Sequence, residues 1–462
     1  MLGTIPFSNR RYVGNDIGQI AHPTQSPASI SGIAPALSAA SAEWPLRILL
    51  CMLLILYSGA WIYPAQEGFG GAENIQLTKP GGAPFNYLTW VCLLMAIGRE
   101  LSQFSSERVT ASLKPMGALA TVGFIAALVG FDPMSSFRLY FLWVVMLIAA
   151  ATLGAGLSES AAVRSLLIGC MLIVGASVLM ALVFPNIGMQ ADRDARVWRG
   201  VFAGKNGFGW FGSIALVIAV GLYGAECRRL AICLILGSAI CVLASGSKGA
   251  LVVALSGVGY RLLLPRLARR VSAPLAFVIL VLTFIFSAIA SQVLMPIVLE
   301  ALGRDPSLTG RTDIWAMYLE SMLRSPWIGS GPGAFTGLSP FTVILAARLA
   351  SLGGILTPHN MYLGALGDSG VIGLFIYVST LGYLVFVAPL IYQSRTGFTS
   401  AGIGFLMMIV GIVETHEIFN AGIGGYCLVL TYSMAVNQAG RAHSGRIAEC
   451  GGIDAATDSN RI

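Results

Sequence analysis

Charged residues are scarce in this sequence. Only 11% of its 462 residues are charged, 56% are apolar, and the mean hydropathy is +0.78. This composition excludes an ordinary soluble protein, in which about a quarter of the residues are charged. Repeated apolar runs approach the roughly 20 residues that a helix needs to cross a bilayer. The sequence therefore predicts an all-α integral membrane protein.

Paired cysteines and histidine clusters are also lacking. The chain has eight cysteines, but no two form a CxxC pair, and most lie inside apolar runs. This pattern excludes a disulfide framework or a zinc site, so we expect buried, reduced thiols. Of the four histidines, His416 lies between Glu414 and Glu417, but a metal there would need a third or fourth ligand. A hydrogen-bonded helix end is the better interpretation, and no metal or other cofactor is expected.

The apolar runs predict about twelve membrane-spanning helices, within a range of ten to twelve. Residues 1–43 are rich in Ser, Ala, Pro and Gly and predict a flexible tail, and residues 439–462 form a second tail. Spans 1–9 occupy residues 44–299 and spans 10–12 occupy 370–438, with one long loop, 300–369, between them. The predicted spans are 46–63, 85–98, 116–131, 138–157, 164–184, 208–224, 229–245, 248–264, 272–299, 370–392, 401–417 and 421–437.

The net charge is +7, and most of the cationic residues lie in short loops beside these spans. Cations placed in this way set membrane orientation and do not suggest a nucleic-acid partner. With both termini in the cytoplasm, twelve alternating spans put 17 of the 28 Lys and Arg residues inside. The other 11 lie outside, mostly in two segments, 193–205 and 304–348. The short outer loops contain few other cations, as the positive-inside rule requires. The two segments that break this rule are therefore candidate functional sites.

The first outer cluster is the loop PNIGMQADRDARVWRGVFAGKNGFG. Arg193, Arg196 and Arg199 recur every three residues, which predicts that they stack on one side of a helical turn. Lys205 and Asn206 follow at the start of a span, among glycines that let backbone amides approach a ligand. Because a helix start offers free N–H groups and partial positive charge, the loop predicts an anion-binding surface. The alternative is a salt-bridged loop with a snorkelling lysine and glycines that serve helix packing.

The second outer cluster is the long segment 300–369. Its part SLTGRTDIWAMYLESMLRSP predicts a helix from about residue 313, capped by Thr312 and ended by Pro326. Arg311 lies at the N-terminal edge of this helix, and the apolar side predicts a position along the membrane surface. The stretch FTVILAARLASL predicts a second amphipathic helix. GSGPG, between the two helices, predicts a turn without a specific signal.

Three more polar residues lie at the predicted outer ends of spans. His359 and Asn360, in TPHNMYLGALGDSGVIG, precede the tenth span. The ordinary pKa of histidine, near 6.5, suits a general base at neutral pH, although a single histidine is more often structural. Lys248, in SGSKG, either extends along the membrane surface or joins the anion site.

Three elements occur in an order that is typical of a known family. They are RGVFAGKNGFG, TGRTDIWAMYLESMLRSPWIGSGPGAF and PHNMYLGALGDSGVIG. Together they resemble the O-antigen ligase and Wzy-type polymerase family of integral membrane glycosyltransferases, and look closest to bacterial exopolysaccharide polymerases. The motifs cover about residues 195–375, and the number of spans and the late outer loop agree with the family. This chain has Gly204 where a histidine often precedes the lysine in that branch.

The resemblance implies a substrate, a glycan linked through diphosphate to undecaprenol, at the periplasmic face of the bacterial inner membrane. It implies an inverting, metal-independent transfer with three catalytic residues, Arg199, Arg311 and His359. The arginines would stabilise the departing diphosphate, and the histidine would take a proton from the acceptor hydroxyl. Further contacts to the diphosphate are implied for Arg196, Lys205, Asn206, Lys248 and Asn360. Chain-length regulators and export proteins are the expected protein partners, beside the bilayer itself.

Two alternatives stay open on the sequence alone. A ligase of the same family would use the same donor but transfer the glycan once, to lipid A-core or another acceptor. A polytopic transporter or flippase would also have about twelve spans. Such carriers usually place ionisable groups near the membrane midplane, whereas these spans are nearly empty of charge. This difference disfavours the transporter. The resemblance to exopolysaccharide polymerases favours the polymerase over the ligase.

Overall fold

The computed structural model describes residues 33–60, 106–192, 195–282, 311–334, 360–412 and 421–458, together with Val91, Leu94, Met95, Gly98 and Phe419. The chain divides into two units, residues 1–44 and 45–462. Most of the predicted spans 85–98 and 272–299, the second amphipathic helix, His359 and His416 lie outside the described residues.

Helices make up nearly all of the described structure, as the composition predicts. In chain order they are α1 (Ile33–Tyr57), α2 (Ser106–Leu113), α3 (Gly117–Val129), α4 (Pro133–Gly156), α5 (Glu159–Val183), α6 (Pro185–Gly188), α7 (Lys205–Gly221), α8 (Arg228–Ala244), α9 (Lys248–Arg270), α10 (Ala273–Leu282), α11 (Arg311–Met322), α12 (Met361–Gly382), α13 (Ala388–Ile391), α14 (Arg395–Val410) and α15 (Ile423–Asp458). Short 3-10 turns at Lys114–Met116 and Ala225–Cys227 precede α3 and α8, and a π-helical turn, Tyr383–Val387, joins α12 to α13.

Among the described residues, five stretches of helix are long and apolar enough to cross a membrane. They are Glu107–Val129, Pro133–Gly156, Glu159–Val183, Lys248–Arg270 and Met361–Ile391. Each overlaps one of the predicted spans, which is the pattern of a multi-pass membrane protein. The total of about twelve spans and the long outer loop stay predictions. The span predicted to begin at residue 370 begins at Met361, because Asn360 caps a helix there.

The contacts between helices define two ends of the bundle. At one end Gly209, near the start of α7, lies against Ala250 of α9. At the other end the Arg261 guanidinium of α9 donates to the Gly221 carbonyl oxygen, at the end of α7. We call the first the hairpin end, after the strands described next, and the second the opposite end. The N–H of Met361 donates to the Gly411 carbonyl oxygen, just after α14, so α12 also begins at the hairpin end.

A short β-hairpin interrupts the helices of the described residues. Strand β1 (Met189–Asp192) pairs antiparallel with β2 (Ala195–Trp198). The predicted stacking of Arg193, Arg196 and Arg199 on one side of a helical turn is therefore wrong. The β-branched and aromatic residues of β2 favour a strand, in which successive side chains point to opposite faces. The two residues at the tip of the hairpin, 193 and 194, lie outside the described part of the chain.

Helix α11 confirms the predicted helix in the long outer segment but corrects its start. It begins at Arg311, so Thr312 lies in its first turn instead of capping it. Its Tyr318 and Met322 side chains are buried, and the helix packs against α12. Part of its apolar side therefore contacts protein. A position along the membrane surface stays a prediction.

Candidate functional site

Arg199 is held by backbone groups at the base of the hairpin. Its N–H and the N–H of Gly200 both donate to the Gly188 carbonyl oxygen at 2.9 Å. Its guanidinium Nε donates to the Ile187 carbonyl oxygen at 2.7 Å. Partial burial lowers the pKa of Arg199, because desolvation disfavours the charged form. An anion beside this guanidinium would offset that cost.

Gly200 makes this arrangement possible. Its φ is +59°, in the left-handed region that favours glycine. A Cβ at this position would also collide with the Ser177 side chain of α5. The RG pair of the RGVFAGKN element therefore has a structural reason, since Arg199 reaches its place only through a residue that lacks a side chain.

The start of α7 is capped by a residue of the hairpin. The backbone N–H of Lys205 donates to the Gln190 side-chain oxygen of β1 at 3.0 Å. The residue at the cap position, Gly204, has no side chain with which to do so. Lys205 is half-buried and Asn206 is exposed. Gln190 thus fixes the helix start and its two polar residues relative to the hairpin.

The start of α9 lies beside the hairpin as well. Gly246, with φ of +61°, sits against Val197 of β2. Ser247 caps α9 by accepting a hydrogen bond from the Ala250 N–H at 3.3 Å, and exposed Lys248 is the first residue of the helix. The tertiary structure therefore brings the start of α9, with Lys248, beside the anion-binding residues predicted in the 193–206 loop.

We call Arg196, Arg199, Lys205, Asn206 and Lys248 the hairpin cluster. Arg196 is exposed on β2, and its Nη2 lies 3.5 Å from the Asn186 side-chain oxygen. The cluster combines four cationic side chains with the N-termini of two helices, α7 and α9. Each helix start contributes free N–H groups and partial positive charge. Such an arrangement is suited to binding a phosphate-bearing anion.

Asn360 lies at the same end but serves its own helix. Its side-chain oxygen accepts hydrogen bonds from the Tyr362 and Leu363 N–H groups at 3.0 and 3.1 Å. Its Nδ2 lies 3.4 Å from the Ile412 carbonyl oxygen, beyond the end of α14. These contacts give Asn360 a structural role as the N-cap of α12. Its predicted contact with a diphosphate stays a prediction.

The turn GSGPG forms a tight contact with a break in α12. Gly370, inside α12, has φ of +68°, and Gly329, Gly331 and Gly333 have φ of +81°, +104° and +78°. The N–H groups of Ser330 and Gly331 donate to carbonyl oxygens of residues 367 and 368 at 2.8 and 3.0 Å. We call residues 329–334 together with 368–370 the glycine knot. Four left-handed residues in one contact strongly favour glycine at each position.

Asp368 is the buried carboxylate of the glycine knot. Its side chain is 0% exposed, and its Oδ2 accepts a hydrogen bond from the Gly333 N–H at 3.0 Å. Tyr318 of α11 lies nearby. Burial, and to a smaller extent the charge of Asp368, raise the pKa of Tyr318. Asp368 thus connects the GSGPG turn to α12.

Comparison with known proteins agrees with this architecture. Residues 232–378 match the family model described as O-antigen ligase. The exopolysaccharide production protein ExoQ of Rhizobium meliloti (strain 1021) is 24% identical over 284 residues, which cover 56% of this chain and 64% of ExoQ. The resemblance to the O-antigen ligase family is confirmed. The chain thus matches less than two thirds of the length of ExoQ.

The O-antigen ligase match divides the candidate site. Lys248, Arg311, His359 and Asn360 lie inside the matched segment, as does the whole glycine knot. The residues of the hairpin cluster other than Lys248 precede the segment. Arg311 is described only as the first residue of α11, and its side chain, like all of His359, lies outside the described part of the chain. The predicted meeting of His359 and Arg311 with the hairpin cluster therefore stays a prediction.

Sequence analysis missed two residues that hold this region together. Asp368 had a signal, since a carboxylate in the apolar stretch just before the predicted span 370–392 is expensive to bury and therefore has a reason to be there. Gln190 had none. Its importance comes from a contact with a helix start 15 residues further along the chain, which only the hairpin creates.

Proposed function

We propose that this protein is a membrane glycosyltransferase that polymerises glycan repeat units carried on undecaprenyl diphosphate. The reaction takes place at the periplasmic face of the inner membrane, inverts the anomeric configuration and needs no metal. The observation that carries the proposal is the hairpin cluster, in which four cations and two helix starts lie around one β-hairpin at one end of the bundle. Support also comes from the O-antigen ligase match and from the similarity to an exopolysaccharide production protein.

In this proposal the cations act on the leaving group. The bond between the anomeric carbon and the diphosphate oxygen breaks, and its electron pair stays on the phosphate. Arg199, Lys205 and Arg311 stabilise the charge that develops there, and the remaining cluster residues with Asn360 hold the donor. The diphosphate lies at the lipid–water boundary while the polyprenyl chain stays in the bilayer.

The acceptor hydroxyl supplies the new bond. His359 takes its proton as general base, and the hydroxyl oxygen attacks the anomeric carbon opposite the departing phosphate. Attack from that side inverts the configuration. Arginine suits the phosphate because its planar guanidinium binds two oxygens at once and stays charged.

The second candidate is a ligase, which the description of the matched family favours. It would break the same bond and use the same cations but pass the glycan once to a final acceptor. The product separates the two candidates, since a polymerase makes a ladder of lengths and a ligase changes the carrier.

The test is a gene deletion with gel analysis of secreted and lipid-linked glycan. For a polymerase, the deletion leaves single repeat units on the lipid carrier, and wild type restores the ladder. His359→Ala should fail to restore it, whereas the matched control His443→Ala, in the second half of α15, should succeed. Long polymer that stays on the carrier would establish the ligase instead. Unchanged glycan in every fraction would contradict both.

Orientation and metal independence have their own tests. A cysteine introduced at Asn206 should react with a membrane-impermeant maleimide from the periplasmic side, whereas one at Arg228 should not. The reverse result would contradict the proposed orientation. Polymer formation by purified protein should persist in EDTA, and a loss that Mg²⁺ restores would contradict a metal-independent reaction.

A further inference from the structure

A cavity of about 480 Å³ opens at the opposite end of the bundle. It lies between the last turns of α9 and the α13–α14 turn. Four arginines line it, Arg261, Arg266, Arg269 and Arg395, and none of its lining residues is acidic. We call it the arginine cavity.

Arg261 is the fixed member of the arginine cavity. It is 8% exposed, and its Nη2 donates to the Gly221 carbonyl oxygen at 2.7 Å. Its Nε donates to Thr399 Oγ1 at 3.3 Å, and its guanidinium carbon lies 5.8 Å from the centre of the Phe398 ring. These contacts tie α9 to α7 and α14, so Arg261 has a structural role that does not depend on a ligand.

The other three arginines have weaker tethers. Arg266 and Arg269 are exposed, and each donates to a carbonyl oxygen one turn back on its own helix, at 2.7 and 3.1 Å. Arg395 is 55% exposed and lies 3.8 Å from a Glu159 oxygen. An exposed pair of this kind contributes little energy, and one carboxylate offsets only one of the four arginine charges. The cavity therefore keeps a large positive charge that favours an anion.

The surroundings of the cavity indicate that the anion belongs to a lipid. Leu262 and Phe398 line the cavity beside the arginines, and Leu262 and Leu263 are 42% and 65% exposed on a membrane-spanning helix. A phosphate in the cavity would thus have an apolar surface beside it for an acyl chain. Basic pockets between spanning helices near the membrane surface are known to recognise anionic headgroups.

The distance along α9 fits this interpretation. The chain advances 18 residues from Lys248 to Arg266, which corresponds to about 27 Å at roughly 1.5 Å per residue. The hydrocarbon core of a bilayer is about 30 Å thick. When the hairpin cluster lies at one surface, the arginine cavity therefore lies at headgroup level near the other.

We propose that the arginine cavity binds the phosphate of an anionic phospholipid, at the membrane surface opposite the hairpin cluster. Arg266, Arg269 and Arg395 contact the phosphate, and the Leu262–Leu263 surface receives an acyl chain. The proposal is independent of the glycosyltransferase function, since it rests on the other end of the bundle.

The experiment uses the full-length protein in detergent, with native mass spectrometry of bound lipid. The probes are phosphatidylglycerol and phosphatidylcholine with identical acyl chains. Wild type should retain phosphatidylglycerol preferentially. The double variant Arg266→Gln/Arg269→Gln should bind it about 30-fold more weakly, the effect of two arginines near a membrane surface. Arg228→Gln/Arg229→Gln, two exposed arginines at the start of α8 at the same end, is the matched control and should bind as wild type.

Each contrary result is informative. Equal retention by the cavity variant and wild type, or an equal loss in the control, would overturn the site. A third arm replaces lipid with millimolar inorganic phosphate and measures the melting temperature. Stabilisation by phosphate as large as that by phosphatidylglycerol, and lost in the cavity variant, would overturn the lipid assignment in favour of a soluble anion.

Discussion

The hairpin cluster and the glycine knot lie toward the same end of the bundle but differ in construction. The hairpin cluster presents half-buried and exposed cations. The Ile187 carbonyl oxygen holds the Arg199 guanidinium, and the Gln190 side chain caps the helix that begins at Lys205. The glycine knot contains no cation, and it consists of left-handed glycines around the buried carboxylate of Asp368. The first places charge, and the second packs a turn against the interruption of α12 at Gly370. Substitutions in the cluster should therefore reduce activity and spare stability, whereas those in the knot should reduce stability first.

Arg199→Ala provides the largest expected effect on the cluster side. Removing one group that stabilises transition-state charge typically lowers the rate by about 10²–10³-fold. We expect polymer per unit of membrane protein to fall by that factor, with the protein level unchanged, and a similar fall for Arg311→Ala. Arg196→Ala, exposed on the same hairpin, should cost much less. Wild-type polymer from Arg199→Ala would remove this arginine from the mechanism.

Gly370→Ala tests the knot side. Alanine at a φ of +68° is strained by about 1–3 kcal/mol, and its Cβ would also meet the backbone of Trp327. We expect a clear drop in the melting temperature of the purified protein. Gly382→Ala, in helical backbone at the end of the same helix with open space around it, should be neutral or slightly stabilising. Equal melting temperatures for the two variants would contradict the described break in α12.

Asp368→Ala should have the next largest effect. It leaves the buried Gly333 N–H without its acceptor, which costs about 1–3 kcal/mol. Asp368→Asn keeps an oxygen that can accept this hydrogen bond and should recover part of the loss. The thermal unfolding of the two variants gives the comparison. An equal loss in both variants would show that the knot requires the carboxylate charge and not merely an acceptor oxygen.

Substitution of Asn360 should have the smallest effect on stability, and it tests whether this residue only caps α12 or also contacts the donor. Asn360→Ala removes the N-cap of α12 and should cost about 1 kcal/mol of stability. Asn360→Asp keeps a capping oxygen but adds a negative charge. If Asn360 also contacts the donor diphosphate, Asn360→Asp should melt like wild type and yet make much less polymer. Full activity in that variant would limit Asn360 to capping.

The sequence predicted the broad fold well because its signals are local. Apolar runs predicted all five stretches that the structure makes long enough to cross a membrane, and the helix at 311–322 followed from its own periodicity. The anion-binding interpretation of the 193–206 loop also used local features, glycines and cations before a helix start. The helical stacking of its arginines was wrong because the spacing of three residues suits a helical turn, whereas the pairing of two strands decides the backbone there.

Contacts between distant residues were beyond local signals. Lys248 lies 43 positions after Lys205 (248 − 205), and their helix starts come together only through tertiary packing, of Gly209 on Ala250 and of Gly246 on Val197. The sequence predicted a turn at GSGPG but not its contact. The structure shows that this turn packs against the break in α12 at Gly370. The four arginines of the cavity come from two separate helices and gave no joint signal in the sequence.

The sequence by itself determined that this chain is a multi-pass membrane protein, where the five long apolar helices of the described residues run and which family it resembles. Hydropathy, helix length and short motifs depend on neighbouring residues, so each is readable without a fold. The tertiary structure alone decided which cations share a surface, which carboxylate is buried and where a helix breaks. Those features depend on hydrogen bonds and charge interactions between segments that are distant in the sequence, and such contacts form only in the packed chain.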